Sequence, residues 1–197
     1  MLMKIIFATN NANKVAEIKA ALPPGLEILS LKEAGINIDI PEPHDTLEAN
    51  AVEKATVIYK LTGESCFSED TGLEVAALNG APGVHSARFA GDNATAQENI
   101  EKLMGFLKSG ADRSARFRTV ICLLLNGQQH LFEGICTGTI TMEQSGSSGF
   151  GYDPVFVPDG ASATFAQMTL QEKARYSHRR KALDKLVAFL NSMPLNP

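Results

Sequence analysis

The sequence predicts an α/β protein built on a mixed β-sheet flanked by helices. Apolar runs of strand length alternate with segments whose apolar residues recur at helical spacing. The opening run Lys4-Ile5-Ile6-Phe7-Ala8 passes through a polar loop into one such helix. Later, Phe117–Leu125 and Gln128–Thr139 flank Asn126-Gly127, the preferred two-residue turn of an antiparallel hairpin. Helices that alternate with strands, together with at least one antiparallel pair, make the sheet mixed.

Taken in order, Lys4–Ala8 is a buried strand closed by Thr9-Asn10-Asn11-Ala12-Asn13. A helix is expected from Lys14 to Leu22, with Val15, Ile18 and Leu22 on one face and Pro23-Pro24-Gly25 as its stop. Leu26–Leu31 is a second strand. The stretch Ile40-Pro41-Glu42-Pro43 leads into a helix over Leu47–Leu61, where Asp45 and Glu48 have capping-box spacing. Ser65-Cys66-Phe67-Ser68 is a short strand that ends on Glu69-Asp70; Thr71-Gly72 is read as a turn, and a strand pattern resumes through Leu78. Asn79-Gly80-Ala81-Pro82-Gly83 is a loop, and Asn99–Leu107 a helix with Ile100, Leu103, Met104 and Leu107 aligned. After the hairpin, the Gly/Ser segment Ser145–Gly151 precedes a short strand, Pro154–Val157. Thr169 and Glu172 form a second capping box, and the last helix, His178–Asn191, turns Ala182, Leu183, Leu186, Val187 and Leu190 inward.

A length of 197 residues with 44% hydrophobic content reads as a single domain, 1–197, with a sizeable core. The net charge of −4 argues against a general nucleic-acid binder. Cys66, Cys122 and Cys136 are odd in number and each lies in an apolar run, the pattern of reduced buried thiols. The opening Met1-Leu2-Met3-Lys4-Ile5-Ile6 lacks the parts of a signal peptide, and no apolar run is long enough to span a bilayer, so a cytoplasmic location is expected.

Glu69-Asp70 is the most informative pair. Adjacent carboxylates at a strand end are costly if buried and unpaired. A divalent cation, a proton-acceptor role, or simply a solvated acidic turn accounts for them. Thr9-Asn10-Asn11-Ala12-Asn13-Lys14 leads from a strand into a helix, and its backbone N–H groups, amides and lysine suit an anion such as phosphate. An Asn-rich capping turn explains the same residues. Phe150-Gly151-Tyr152-Asp153-Pro154 places aromatics on a glycine-flexible loop, suited to stacking on a base or to anchoring the loop in the core. A basic cluster in this acidic chain comprises Lys173, Arg175, His178, Arg179, Arg180 and Lys181. With Ser177 as N-cap, cations at 178–180 oppose the helix dipole at about 0.3–1 kcal/mol each, which an electron-rich ligand group would offset; a solvated positive face explains Arg180 and Lys181 well, and His178 and Arg179 less well.

These segments, together with Ser68-Glu69-Asp70-Thr71-Gly72-Leu73, Pro82–Gly91 and Ser177-His178-Arg179, occur in an order that resembles the inosine triphosphate pyrophosphatase family, also called Ham1-like or dITP/XTP pyrophosphatases. The resemblance runs from about Lys4 to about Leu190. It implies an elongated mixed sheet with two lobes and a central substrate cleft, and a homodimer. It also implies Mg²⁺-dependent hydrolysis of ITP, dITP and XTP to the monophosphate and pyrophosphate, which cleanses the nucleotide pool. Rival readings are a non-catalytic purine-nucleotide sensor and a pyrophosphatase of different base preference.

Carried over by position, the resemblance assigns Thr9, Asn10, Asn11 and Lys14 to the triphosphate, and Asp70 to proton acceptance with Thr71 beside it. It places Phe150, with Gly151 and Tyr152, against the purine, and Asp153, Lys173, Ser177, His178 and Arg179 along its 6-keto edge. Asp70, Glu69 and Glu48 are the candidate metal ligands. Two departures stand out. Asn10 replaces a common Gly, tolerable even at a positive φ. Ala49 stands where the family usually carries a metal-binding Glu, so either Glu48, one residue earlier, reaches the metal or the site relies on Glu69, Asp70 and the substrate phosphates.

Overall fold

The computed structural model describes residues 3–193; Met1 and Leu2 of the opening segment lie outside the described residues. In chain order the elements are β1 (Met3–Phe7), α1 (Ala12–Lys19), β2 (Leu26–Ser30), α2 (Leu47–Thr62), β3 (Cys66–Val75), β4 (Pro82–Gly83) and α3 (Ala96–Phe106). They continue with β5 (Ser114–Leu125), β6 (Gln128–Ile140), β7 (Phe156–Pro158), α4 (Leu170–Ala174) and α5 (His178–Ser192). The sheet has the order β2-β1-β3-β5-β6-β7, with β4 attached to β3. β1 runs parallel to β2 and β3, whereas β4 on β3 and β7 on β6 are antiparallel, so the sheet is mixed as the sequence predicts. Asn126 and Gly127 both take positive φ (50° and 79°), the backbone that a tight hairpin turn requires.

Several local expectations are corrected. β3 does not turn at Thr71-Gly72 but continues to Val75. Gly72 is there for close approach: a Cβ on it would stand 2.5 Å from the Gly83 carbonyl oxygen of β4. The cap of α2 is Thr46, whose side chain accepts from the Ala49 N–H, and not Asp45. α1 begins and ends earlier than its apolar spacing implies, because Asn11 caps it and the paired prolines after Leu22 disfavour helix there. A full capping box at Thr95 and Glu98 starts α3 ahead of Asn99, while the box at Thr169 and Glu172 is as expected. Asp153–Val155 form a single 3₁₀ turn, which moves the following strand to Phe156–Pro158.

The described chain forms two compact units. The first comprises the residues up to Asp70, Thr119–Gly134 and the residues from Arg179 on. Its core sets Ile5 and Phe7 of β1, Phe67 of β3 and Ile121, Leu123 and Leu125 of β5 against Ala182, Leu183 and Leu186 of α5. Phe7 and Phe67 stack at 4.4 Å across the parallel pair. The second comprises Thr71–Arg118 and Ile135–His178. Its core gathers Leu73 and Val75, Ile100 and Leu103, and an aromatic group of Phe117, Phe156 and Phe165. Phe117 meets Phe156 edge-on at 4.7 Å. Cys66, Cys122 and Cys136 are buried and in no disulfide among the described residues, as expected, and burial pushes the Cys66 and Cys122 thiols up to about 12. No helix among the described residues is long and apolar enough to cross a membrane.

Candidate active site

In the first unit the two adjacent carboxylates part company. Successive side chains of an unbroken strand point to opposite faces, and β3 is unbroken through both. Asp70, 5% exposed, faces α2. Asn50 Nδ2 donates to its Oδ2 at 3.3 Å, and Lys54 Nζ donates to its Oδ1 at 3.1 Å. Asn50 and Lys54 are one helical turn apart, so α2 presents an amide and an ammonium side by side. Asn50 is itself fixed by the backbone N–H and carbonyl of His44. Lys54 also bonds Glu42, so two carboxylates share one buried ammonium. Burial raises the Asp70 carboxyl above its usual range; Lys54 opposes this, and the Glu42 charge adds to it. The result is a carboxylate with more than ordinary proton affinity.

Glu69 turns to the other face and is 1% exposed. Both of its carboxylate oxygens accept from Arg179 Nε, at 2.9 and 2.8 Å, and Lys14 Nζ lies 3.1 Å from Oε1. Arg179 Nη1 also bonds Glu17 of α1. Burial alone would raise the Glu69 carboxyl, but Arg179 and Lys14 reverse this and hold it down at about 2. A carboxyl held below its unfolded value stabilises the fold above that value and loses the contribution as pH falls toward the folded one. Stability is therefore expected to decline between about pH 4.5 and pH 2, by roughly 3 kcal/mol from this group. Urea-unfolding midpoints measured at pH 6, 4 and 3 check it; a midpoint that does not move would remove Glu69 from the account.

The loop before α1 is organised by its own side chains. Asn11 Oδ1 accepts from the Asn13 and Lys14 N–H groups, and Thr9 Oγ1 accepts from the Asn11 N–H. The capping reading of this loop is thus realised in Asn11. Asn10 takes no positive φ; its amide is tied to the Ile38 carbonyl instead.

In the second unit, Asp153 is 3% exposed and its Oδ2 accepts from the Phe150 N–H at 2.9 Å and from Lys173 Nζ at 2.6 Å. Gly149 has φ 76°, and a Cβ on it would fall 2.1 Å from that same oxygen, so only glycine lets the loop close over the carboxylate. Lys173 Nζ lies 5.0 Å from the Phe150 ring centroid and 5.1 Å from that of Phe165. His178 stacks on Phe117 at 4.6 Å, and its buried Nδ1 makes no hydrogen bond among the described residues. Tyr152 turns inward, its hydroxyl donating to the Ser86 carbonyl at 2.9 Å. Ser177 is buried at the head of α5.

Measured against the expectations, Phe150, Gly151, Tyr152, Asp153, Lys173, Ser177 and His178 all belong to the second unit. Tyr152 is a loop anchor, and Asp153 is committed to Lys173 and the loop backbone. Arg179, expected at the base edge, is held by Glu69 and Glu17 in the first unit. Glu69, expected at a metal, has both oxygens on a guanidinium. Thr71 follows Asp70 directly along β3. Glu48 stands in the first turn of α2, but Glu42 is the carboxylate that shares Lys54 with Asp70. No group of three or more His, Cys, Asp or Glu side chains converges among the described residues. Glu42 and Asp70 form a hard-oxygen pair of the kind that suits Mg²⁺, which commonly uses one or two carboxylates plus phosphate and water. The sequence reading missed Glu42, Asn50 and Lys54. The signal for Asn50 and Lys54 was polar residues at i, i+4 on the apolar side of α2, where they are buried beside Leu47, Ala51, Ala55 and Ile58.

Comparison with known proteins agrees with this architecture. A model of the Ham1 family matches residues 5–189. The dITP/XTP pyrophosphatase of Flavobacterium psychrophilum is 48% identical over 190 residues, covering 96% of this chain and 100% of that protein. That of Christiangramia forsetii is 51% identical over 189 residues, with the same coverage of both. Among solved structures, a HAM1 protein from Coxiella burnetii superposes with a TM-score of 0.88 at 38% identity, over 97% of this chain and 100% of that one. The Ham1 protein of Staphylococcus aureus gives 0.86 at 37%, over 96% and 98%. A family match over nearly the whole chain, full-length relatives near half identity and the same mixed, helix-flanked sheet lead to one conclusion: the chain belongs to the Ham1 family.

Proposed function

We propose that this chain hydrolyses deaminated purine nucleoside triphosphates, namely ITP, dITP and XTP, to the nucleoside monophosphate and pyrophosphate. The observation that carries the reading is Asp70, a buried strand carboxylate of raised proton affinity, aimed by Asn50 and Lys54. In the reaction, Asp70 takes a proton from water as the water oxygen bonds to the α-phosphorus. The bond from that phosphorus to the bridging oxygen breaks, and pyrophosphate leaves. Thr9, Asn10, Asn11 and Lys14 take the triphosphate, with Thr71 beside Asp70. Glu42 and Asp70 are the residues that would hold Mg²⁺, which when bound supplies charge neutralisation on phosphate oxygens. Glu42 also supports an enzyme over a sensor, because it supplies the second carboxylate that Ala49 cannot.

Phe150 stacks on the purine, and Lys173, Ser177 and His178 face its edge. A 6-keto oxygen accepts hydrogen bonds, and an ammonium offers only donors. Asp153 holds that ammonium in place. Lys173→Met is accordingly expected to lower kcat/KM for ITP about 10²-fold while changing that for ATP far less, as the loss of one donor to a buried acceptor implies. Parallel assays with ITP and ATP check it, and an equal loss on both substrates would move Lys173 away from the base.

The direct test is incubation with ITP, dITP, XTP, dUTP, GTP and ATP in Mg²⁺, with products separated by anion exchange. Monophosphate plus pyrophosphate from the first three is expected; orthophosphate release would overturn attack at the α-phosphorus. The same reading carries a homodimer, checked by light scattering, acting on the cytoplasmic nucleotide pool.

A further inference from the structure

We propose that Glu69, held in place by Arg179 and through it by Glu17, is a positioning residue for Lys14: it directly pins this partly exposed ammonium at the end of the Thr9–Asn13 loop. The inference rests on the reading of Thr9–Lys14 as the triphosphate site, and it adds a function for a carboxylate which that reading leaves without one.

Within this charge network the Glu69 side chain is 0% exposed, Arg179 2% and Glu17 11%, while Lys14 retains 16%. Lys14 is the more exposed of the two cations, the one that an anionic ligand can touch. Charge follows the same logic. Arg179 and Lys14 carry two positive charges, and Glu17 and Glu69 two negative ones, so the group is neutral as it stands. Arg179 sits in the first turn of α5, where a cation opposes the helix dipole. The Nε–H shared by both Glu69 oxygens and the Nη1 bond to Glu17 compensate for that placement.

Geometry supplies the rest. A lysine ammonium is a point charge on a flexible stem whose rotamer entropy amounts to ~2 kcal/mol. Left free, it would have to be ordered each time a triphosphate bound. Glu69 cannot move, because it grows from a central strand and both of its oxygens face a buried guanidinium. An ammonium 3.1 Å from that carboxylate is ordered in advance. The cap of α1 works in the same direction, since Asn11 fixes the Lys14 backbone N–H while Glu69 fixes its tip. A metal at Glu69 would add a further cation to a buried carboxylate that Arg179 and Lys14 already compensate, whereas positioning uses the contacts as they stand.

A double-mutant cycle over Glu69→Gln and Lys14→Met tests this. Its readouts are kcat and KM for ITP, and the Kd of inorganic triphosphate by calorimetry. Glu69→Gln alone is expected to raise KM and Kd about ten- to a hundredfold with kcat changed less than about threefold. On the Lys14→Met background it is expected to add no more than about twofold, because the residue through which it acts is gone. Equal effects in both backgrounds would overturn the proposal in favour of a general structural role. A shift confined to the Mg²⁺ midpoint would overturn it in favour of a metal role. If Glu69→Gln yields no folded protein by circular dichroism, Glu17→Gln at the rim of the network replaces it, with a smaller effect that Lys14→Met must also abolish. The two readings fail separately: a wild-type chain that binds triphosphate without turning over ITP removes the proposed reaction alone, additivity in an active enzyme removes the positioning role alone, and no triphosphate binding removes both.

Discussion

Asp70→Asn is expected to reduce kcat for ITP by about 10³-fold or more while the nucleotide Kd moves by less than about fivefold. The substitution keeps the shape of the side chain and its place beside Asn50, and it removes the proton acceptor. Removal of a positioned general base typically costs 10²- to 10⁴-fold, roughly 3–5 kcal/mol of barrier. The upper part of that range is expected because the burial that raises the proton affinity of Asp70 also shields the proton transfer from bulk water. Lys54 retains Glu42 as a counter-charge in the variant, so the fold is expected to survive. Saturating-substrate kinetics and equilibrium dialysis with ITP separate the two quantities. Turnover within tenfold of wild type would remove Asp70 from the general-base role.

The second large effect concerns stability. Arg179→Met is expected to destabilise the chain by about 3–5 kcal/mol, the usual cost of stripping one partner from a buried ion pair. Glu69 would be left fully buried with Lys14 alone, and Glu17 would lose its guanidinium. For a chain of this length the expected fall in Tm is on the order of 10 °C. The adjacent Arg180 supplies an internal control. It pairs with Asp184 one turn along α5, but the two side chains are 39% and 55% exposed. Surface pairs of that kind contribute about 0–1 kcal/mol, so Arg180→Ala should shift Tm by no more than a few degrees. Thermal melts of the two variants, measured side by side, give the comparison. Equal shifts would mean that Arg179 is not the clasp described above.

Neighbours in sequence also explain where the reading of the chain succeeded. The hairpin at Asn126-Gly127, the capping box at Thr169, the buried thiols and the inward face of α5 all depend on residues within a turn or two of one another. Turn chemistry, caps and apolar periodicity act over that range. The errors at Gly72 and Asp45 were local as well, but each was settled from a distance. Gly72 serves the approach of Gly83 on another strand, and so its glycine marks packing instead of a turn. Asp45 competes with Thr46 for one cap, and the hydrogen bond of Asn50 to His44 sets how the chain enters α2.

The amino-acid sequence alone determined the mixed α/β class, the family resemblance and Asp70 as the residue of first interest, because those follow from local pattern and from motifs in order. It could not divide the acidic pair. Glu69 and Asp70 are adjacent and chemically alike, yet strand alternation sends one toward Lys54 and Asn50 and the other toward Arg179. Arg179 lies 110 positions from Glu69 in the chain, and Glu42 reaches Lys54 only after the Pro-rich stretch folds back beside α2. Charges separated that far along the chain meet only when the sheet and the helices packed on it are complete. In that environment a buried carboxylate must find a cation, and which cation it finds sets its role.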